Sequence, residues 1–415
     1  MTAGSTTQET PSQVLRHEGV PAFFAALLSD ELATALWVFT LGWVASRAST
    51  VTGTGVILLA SGLPYALMLV LGGSLTDRLG SARVAVWTLL ARVMVMLGWW
   101  WAALEGHASS GTLIVGAVLV GAIAGVHQPA MTSYPVQLVP DEGQASSMVI
   151  ERGLARFAQG GAGFAAGLLT EHWGVGGPAA VAAALLILAL AVVAVLGRGL
   201  PSVSAATAVP SEKVLSHLVG GLRWVGDRPI LRRTLAVQSA VSALVGSLLL
   251  VLLPLRARAA GWTPASYGWA FGAFGVGMLF GVLGALWAAE RRGGVGVYGS
   301  VVLALGGCLS VAALGVAQSA AWTATLAGAA GLLFGPVGPT LSGYLRGVAR
   351  ADADAAVSGR AMAVLLLMTD AVEPLVLFIA AAIVAAISVD QAALLLGGLA
   401  ALACVWAGSG LRGLR

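Results

Sequence analysis

The sequence predicts an all-α integral membrane protein with twelve transmembrane helices in two six-helix bundles. Composition gives the first reason: 58% of the 415 residues are hydrophobic, 10% are charged, and the mean hydropathy is +0.91. Soluble chains carry about 25% charged residues. The second reason is the length of the apolar runs, roughly 20 to 28 residues each, which suffices to cross a bilayer as tilted helices. An outer-membrane barrel would instead show shorter, alternating segments.

The twelve apolar runs follow one another with short connections, except for one longer gap after the sixth. Their approximate limits are 22–46, 53–72, 84–104, 111–131, 149–169, 178–197, 236–256, 266–289, 295–317, 321–345, 361–388 and 391–411. We therefore divide the chain into an N-terminal six-helix bundle at 1–197, a cytoplasmic linker at 198–233 and a C-terminal six-helix bundle at 234–415. Apolar residues recur at helical spacing over 212–228, which predicts an amphipathic linker helix, either at the membrane surface or packed on the protein in solvent.

The basic residues indicate the orientation of the spans, because cytoplasmic loops carry an excess of Arg and Lys. With both termini inside, sixteen of the 22 basic residues fall on the cytoplasmic side: Arg16, Arg78, Arg83, Arg198, Lys213, Arg223, Arg228, Arg232, Arg233, Arg291, Arg292, Arg346, Arg350, Arg360, Arg412 and Arg415. The polar residues 1–20 contain no apolar signal segment. We expect a multi-pass protein of the cytoplasmic (inner) cell membrane, surrounded by lipid and monomeric, with both termini in the cytoplasm.

Several function classes are disfavoured by what the sequence lacks. Its single lysine, Lys213, does not stand in a Gly-Lys-Ser/Thr phosphate loop. The sequence contains no His-Glu-x-x-His motif, no Gly-x-Ser-x-Gly motif and no Cys/His cluster, so we expect neither an enzyme nor a cofactor or metal site. The basic residues lie in loops, so the net charge of +4 reflects membrane topology and not nucleic acid binding.

The most specific motif lies between the second and third runs and reads Gly73-Ser74-Leu75-Thr76-Asp77-Arg78-Leu79-Gly80. It resembles motif A of the major facilitator superfamily, G-x-L-a-D-r-x-G-r-r, with Ser and Ala in place of the final two basic residues. An ordinary short loop with a cytoplasmic charge bias is the alternative interpretation.

This resemblance implies the major facilitator fold, two bundles around a central cavity, and a gating role for Gly73, Asp77, Arg78 and Gly80. We expect Gly73 to let two helix ends approach closely and Gly80 to adopt a positive φ. Asp77 should contact the helix start at 359–363 when the cytoplasmic side is closed, since helix starts attract anions.

A second stretch, Tyr134-Pro135-Val136-Gln137-Leu138-Val139-Pro140, resembles the macrolide-efflux and enterobactin-exporter branch of that superfamily. Gly359-Arg360 and the linker segment 221–229 agree with it. This resemblance implies drug or siderophore export driven by the proton gradient. It suggests a multidrug or antibiotic-resistance antiporter, with protons and an amphipathic small molecule as its partners. Export of a siderophore or another endogenous metabolite is the alternative. Gly163-Phe164 stands where the Gly-Pro of the antiporter motif C belongs.

Apart from charges toward the ends of the fifth and seventh runs, five charged residues lie inside predicted spans, where a charge at the bilayer centre costs at least about 2.5 kcal/mol. They are Asp30 and Glu31 in the first span, Arg92 in the third, and Asp370 and Glu373 in the eleventh. Arg92 can neutralise one acid of the first span but not all four. A carboxyl group without a counter-charge can bind and release a proton. We expect Glu373, and next Asp30, to couple transport to protons; a buried protonated acid without a coupling role is the alternative.

Other polar and aromatic side chains inside the spans are candidates for lining a substrate cavity. They are His127, Gln128, Gln159, Gln238, Phe271 and Phe274. A lone histidine inside a span more often packs against its neighbours than relays protons. The two phenylalanines offer aromatic surface to an amphipathic substrate, or equally to lipid.

Overall fold

The computed structural model describes residues 11–48, 50–198, 223, 225–292, 295–351 and 372–411. The long helical segments of this part of the chain are α1 (Val20–Ala48), α2 (Val51–Leu79), α3 (Ser81–Leu104), α4 (Ser110–Ser133), α5 (Gln144–Trp173), α6 (Gly177–Leu196), α7 (Pro229–Ala259), α8 (Pro264–Arg292), α9 (Val297–Ala313), α10 (Ala320–Phe334 and Val337–Ala351), α11 (Glu373–Ala386) and α12 (Val389–Ser409). A π-helical turn at Leu248–Leu252 interrupts α7. Short helical turns lie at Pro11–Val14, Pro135–Leu138, Asp141–Gly143 and Leu314–Val316.

Ten helices of the described residues are long and apolar enough to cross a membrane. The long helix α5 is not among them and carries Glu151, Arg152, Arg156 and Glu171. The described part of α11 is a shorter apolar helix. An all-α multi-pass membrane fold is thus confirmed, while the number of twelve spans and their orientation stay predictions.

Some sequence-based expectations fall outside the described residues. These are Asp370, the segment 359–363 that we expect to contact Asp77, and most of the predicted linker helix, namely 212–222 and 224. The described part of α11 begins at Glu373, with Pro374 in its first turn. Proline suits a first turn because the missing N–H has no partner there in any helix.

Four helices that begin at the same end of the molecule, α2, α4, α10 and α12, are capped by hydroxyl side chains. Thr50, Ser109, Ser319 and Ser388 each accept a hydrogen bond from the backbone N–H three residues later. An N-cap hydroxyl satisfies one of the free N–H groups of a helix start. We call this end of the molecule the α1–α2 end, and the opposite end, where α2 leads into α3, the α2–α3 end.

Helices α1–α6 pack mainly on one another, most closely in the pairs α2–α4, α1–α6 and α3–α6. Helices α7–α12 do the same through α8–α10 and α9–α12. The pairs α5–α8 and α2–α11 make the most extensive contacts between these two groups, and α1 adds smaller contacts with α7 and α8. This contact pattern supports the predicted division at 1–197 and 234–415, which stays a prediction.

The α5–α8 contact is made by glycines that bring the two backbones together. A Cβ added at Gly163 would lie 2.6 Å from the Gly272 nitrogen, and one at Gly167 would lie 2.9 Å from the Gly268 Cα atom. No side chain fits between the helices there, so the missing Cβ atoms permit the approach. We call this contact the glycine seam.

The seam opens toward the α2–α3 end. Gly153 lies two helical turns from Gly160 and therefore on the same face of α5, but no described heavy atom lies within 4 Å of a Cβ built there. Gly160 itself would place a Cβ 2.9 Å from the Val276 nitrogen. The two groups of helices therefore meet near the α1–α2 end and diverge beyond it.

Among the described residues, the close approach that we expect at Gly73 is not seen at that glycine. No described heavy atom lies within 4 Å of a Cβ built at Gly73, whereas one built at Gly72 would lie 2.7 Å from both the Gly125 oxygen and the Val126 Cα of α4. Consecutive residues of a helix point about 100° apart. The close approach of α2 to α4 therefore falls on Gly72.

Candidate functional site

A cavity of about 570 Å³ lies between the two groups of helices. Both groups contribute to its lining, so a molecule bound in it contacts both. Its polar lining residues include Asp30, Glu31, Thr34, Tyr65, Arg92, His127, Gln128, Gln159, Ser242 and Glu373. Apolar side chains, among them Trp37, Leu41, Met96 and Leu249, complete the wall.

Asp30 is the centre of a buried cluster of charged and polar side chains. Its Oδ1 accepts a hydrogen bond and ion pair from Arg92 Nη1, and its Oδ2 lies 2.9 Å from His127 Nε2. Arg92 Nη2 donates to Thr34 Oγ1 over 2.6 Å, and Thr88 Oγ1 lies 2.8 Å from His127 Nδ1. Asp30, Arg92 and His127 are at most 5% exposed. Both carboxylate oxygens therefore face a donor, as a buried carboxylate requires.

Helical spacing places the members of this cluster, which we call the Asp30 cluster. Asp30 and Thr34 lie four residues apart on α1, and Thr88 and Arg92 lie four residues apart on α3. Residues with this spacing share one helix face. The fifth member, His127, comes from α4 and reaches the cluster between α1 and α3.

Two further carboxylates line the same cavity from opposite groups of helices. Glu31 on α1 makes no hydrogen bond or salt bridge with another described residue, and it interacts electrostatically with Arg92 and Arg156. Glu373, at the start of the described part of α11, packs on α7, because a Cβ at Gly246 would overlap its Oε1. Gly246 thus makes the space that the Glu373 carboxylate occupies.

Of the remaining cavity candidates, Gln128 and Gln159 line the cavity. Gln159 Oε1 accepts a hydrogen bond of 2.7 Å from Arg156 Nη1 on the preceding turn of α5. This bond orients the glutamine amide and holds a positive charge close to the cavity wall.

Gln238, Phe271 and Phe274 are buried outside the described lining of this cavity. Phe271 instead joins an aromatic group near the α1–α2 end, with ring centroids 5.9 Å from Phe39 and 6.0 Å from Tyr267. An aromatic ring is equally stable against neighbouring helices, in an apolar cavity or against lipid. Hydrophobicity alone therefore does not tell which of these three environments a phenylalanine occupies.

The family of the chain follows from a comparison with known families. Residues 21–369 match the family model of the Major Facilitator Superfamily. The chain belongs to this superfamily. It is therefore a secondary active transporter of small molecules and not an enzyme. No curated protein sequence matches this facilitator significantly.

Solved structures with the same fold are distant in sequence. An auto-inhibited peptide transporter of the POT family matches this facilitator with a TM-score of 0.70 and 15% identity, covering 96% of this chain and 97% of that one. A nucleoside transporter matches with a TM-score of 0.69 and 12% identity, covering 93% of this chain and 98% of that one. A D-xylose–proton symporter matches with a TM-score of 0.67 and 15% identity, covering 92% of this chain and 95% of that one. At these identities the likeness shows the shared fold.

The motif A segment of this facilitator ends α2 and begins α3. Gly80 adopts φ +86°, as its place in the motif predicts, and its N–H donates to the Thr76 carbonyl. Asp77 and Arg78 are exposed at the α2–α3 end. The loop after α4 is fixed to the same place, because Gln137 Nε2 donates to the Ser81 hydroxyl over 2.7 Å. Two stretches that the sequence identifies separately therefore meet.

Proposed function

We propose that this facilitator exports amphipathic antibiotics or multiple drugs across the cytoplasmic membrane in exchange for protons, as a member of the macrolide-efflux and enterobactin-exporter branch. The observation that carries the proposal is the cavity between the two groups of helices, which is lined both by apolar side chains and by Asp30, Glu31 and Glu373. An amphipathic drug needs an apolar wall, and proton exchange needs carboxylates in the same place.

The size and surface of the cavity suit a drug-sized molecule. Its volume of about 570 Å³ falls within the roughly 300–1,000 Å³ typical of small-molecule sites. Trp37, Leu41, Met96 and Leu249 give the wall the apolar surface that an amphipathic molecule needs.

The packing of the two groups supports alternating access. They meet through the glycine seam and through α2–α11 near the α1–α2 end and diverge toward the α2–α3 end. With the termini in the cytoplasm, as the distribution of basic residues predicts, this conformation faces inward. A drug from the cytoplasm or inner leaflet then enters the cavity, and proton exchange at the carboxylates drives the opposite opening.

The proposal is tested with purified protein in liposomes that carry a pH gradient. Addition of a lipophilic antibiotic such as a macrolide should cause protons to cross the membrane of these liposomes. Liposomes without the protein should show no such proton movement. Glu373→Gln should still bind the drug but lose export driven by the gradient. Glu105→Gln, on an exposed loop, is the matched control and should behave like the unchanged protein.

A deletion strain separates drug export from the export of an endogenous metabolite. Increased drug sensitivity supports the proposal. Normal drug resistance together with loss of a secreted chelator would contradict it and favour siderophore export.

A further inference from the structure

We infer that His127 is the proton-carrying group of the Asp30 cluster and that the Thr88 hydroxyl switches between its two protonation states. The inference rests on the proposed proton coupling and deepens it. It assigns the proton to an imidazole, whereas the sequence draws attention to the carboxylates. Its basis is a count of the hydrogens on the Thr88 hydroxyl and the two His127 ring nitrogens that is consistent with their hydrogen-bond partners.

Thr88 Oγ1 has more close neighbours than one hydroxyl hydrogen can serve. It lies 2.8 Å from the Val84 carbonyl oxygen, 3.0 Å from the Ala85 carbonyl oxygen and 2.8 Å from His127 Nδ1. A hydroxyl has one hydrogen to donate and two lone pairs that accept. Its hydrogen therefore points either at the histidine or back at the carbonyl of the preceding turn.

Each direction of the hydroxyl fixes one protonation state of the ring. If Thr88 donates to His127 Nδ1, the ring is neutral and its Nε2–H donates to Asp30 Oδ2. If Thr88 donates to the Val84 carbonyl, its oxygen accepts from an Nδ1–H, and with Asp30 ionised the ring carries both hydrogens. The Nε2 hydrogen faces Asp30 in both states. The two states thus differ by one proton and one hydroxyl rotation, without movement of any heavy atom.

The added proton stays on the imidazole because Arg92 keeps Asp30 ionised. Asp30 Oδ1 accepts from Arg92, and Oδ2 faces His127 Nε2. A hydrogen on Oδ2 would point at Nε2, but the guanidinium charge beside the carboxylate favours an ionised Asp30 with a protonated ring over a neutral acid with a neutral ring. At His127 Nδ1 the Thr88 oxygen can accept the second ring hydrogen.

The charges around the ring link this proton to the cavity. Asp30 and Arg92 face it directly, from α1 and α3. Glu31 on α1 and Glu373 on α11 line the same cavity, and Glu151 and Arg156 on α5 act electrostatically on Glu31. With a neutral ring, Asp30 and Arg92 balance each other. The protonated ring adds one positive charge, which attracts the cavity carboxylates and favours closure of the two groups around them.

The test is to follow the imidazole nitrogens by magnetic resonance in full-length protein with isotope-labelled histidine. The chain has five histidines, so His127→Gln identifies the His127 signals by difference. We expect Nε2 to carry hydrogen throughout and Nδ1 to gain it on acidification. Thr88→Val removes the acceptor and should lower the pH of this transition by about one unit, because the buried Nδ1–H of the protonated ring then has no partner. Thr88→Ser keeps the hydroxyl and should titrate like the unchanged protein.

Transport measurements separate this inference from the proposed function. Export driven by a pH gradient should fall at least tenfold in Thr88→Val and recover in Thr88→Ser, while His172→Gln, exposed on α5, should leave it unchanged. If Nδ1 gains no hydrogen at any pH that supports transport, or if Thr88→Val titrates normally, the inference is wrong. If His127 titrates as expected but no drug is exported, the proton site stands and the proposed substrate class fails.

Discussion

Arg47 and Arg258 cross between the two groups of helices in opposite directions at the α1–α2 end. Arg47 Nη2 donates to the Trp262 carbonyl over 3.1 Å, and Arg258 Nη1 donates to the Ser46 carbonyl over 2.6 Å. Each arginine lies in the last turn of the first helix of its group, α1 or α7. The end of a helix carries partial negative charge, which favours a guanidinium there. The two contacts together fasten this end in the closed arrangement.

Removing these two contacts should open the α1–α2 end. In Arg47→Gln combined with Arg258→Gln, a cysteine placed at the buried cavity residue Leu41 should react about tenfold faster with an impermeant thiol reagent. Hydrogen bonds to charged groups contribute about 1.5–3 kcal/mol each when they are buried. These two are partly exposed, so we expect their combined loss to shift the closed–open equilibrium by only about tenfold. Arg256→Gln is the control, because Arg256 pairs with Asp390 within one group. Equal labelling in all variants would contradict a role for these arginines in closure.

The glycine seam should tolerate no side chain. In Gly163→Val the new Cβ would lie 2.6 Å from the Gly272 nitrogen and 2.8 Å from Phe271 Cδ1, so the α1–α2 end cannot close fully. We expect transport to fall at least tenfold, in line with an overpacking cost of about 1–3 kcal/mol. Gly161 lies on the same helix, and no atom of the described residues lies within 4 Å of a Cβ built there, so Gly161→Val should transport normally. Retained transport in Gly163→Val would show that the seam need not close.

Gly246→Ala should displace the Glu373 carboxylate without changing any charge. The new methyl group would overlap Glu373 Oε1, so the carboxylate must leave its place against α7. We expect loss of proton-driven export, as in Glu373→Gln, while unfolding in detergent stays cooperative. Gly343→Ala is the matched control, because Gly343 is exposed on α10 and no described atom lies within 4 Å of a Cβ built there. Normal coupling in Gly246→Ala would mean that the position of Glu373 is unimportant for proton transfer.

Asp77→Asn should impair transport with little loss of folded protein. Asp77 is exposed at the α2–α3 end, so the substitution removes a charge without opening a cavity. The expected loss comes from the state in which that end closes, where the charge would meet a helix start. Transport assays and thermal unfolding of the same preparation measure the two effects separately. Wild-type export by Asp77→Asn would contradict the gating assignment.

The sequence predicts the membrane fold and the charged candidates because both have large energetic consequences. A charge inside a span is expensive, so Asp30, Glu31, Arg92 and Glu373 attract attention individually. The sequence does not tell which neighbour pairs with Arg92. Asp30 and Glu31 point about 100° apart on α1, and only the rotation of α3 against α1 selects Asp30.

Sequence reasoning overlooks some site residues and assigns others to the wrong environment when burying them costs little free energy. Thr34 and Thr88 are ordinary in membrane helices, because their hydroxyls can bond to their own backbone. Their one signal is the spacing of four residues from Asp30 and Arg92, which places each threonine beside a charge. Phe271 packs against an aromatic neighbour on another helix, a partner that depends on how α1 and α8 approach and therefore on tertiary structure.

The glycine seam also bears on the speed of opening. Side chains that interlock across an interface must change rotamers before the interface opens. Each of them also loses conformational entropy when the interface closes again. Gly163, Gly167, Gly268 and Gly272 have no rotamers to change. At these four positions the helices can separate without a rotamer change, while the Phe164 ring packs against Gly272 and Trp269 beside them. The rate of opening then depends on the Phe164 contact, the arginine contacts, the aromatic rings near the α1–α2 end and the proton at the cavity.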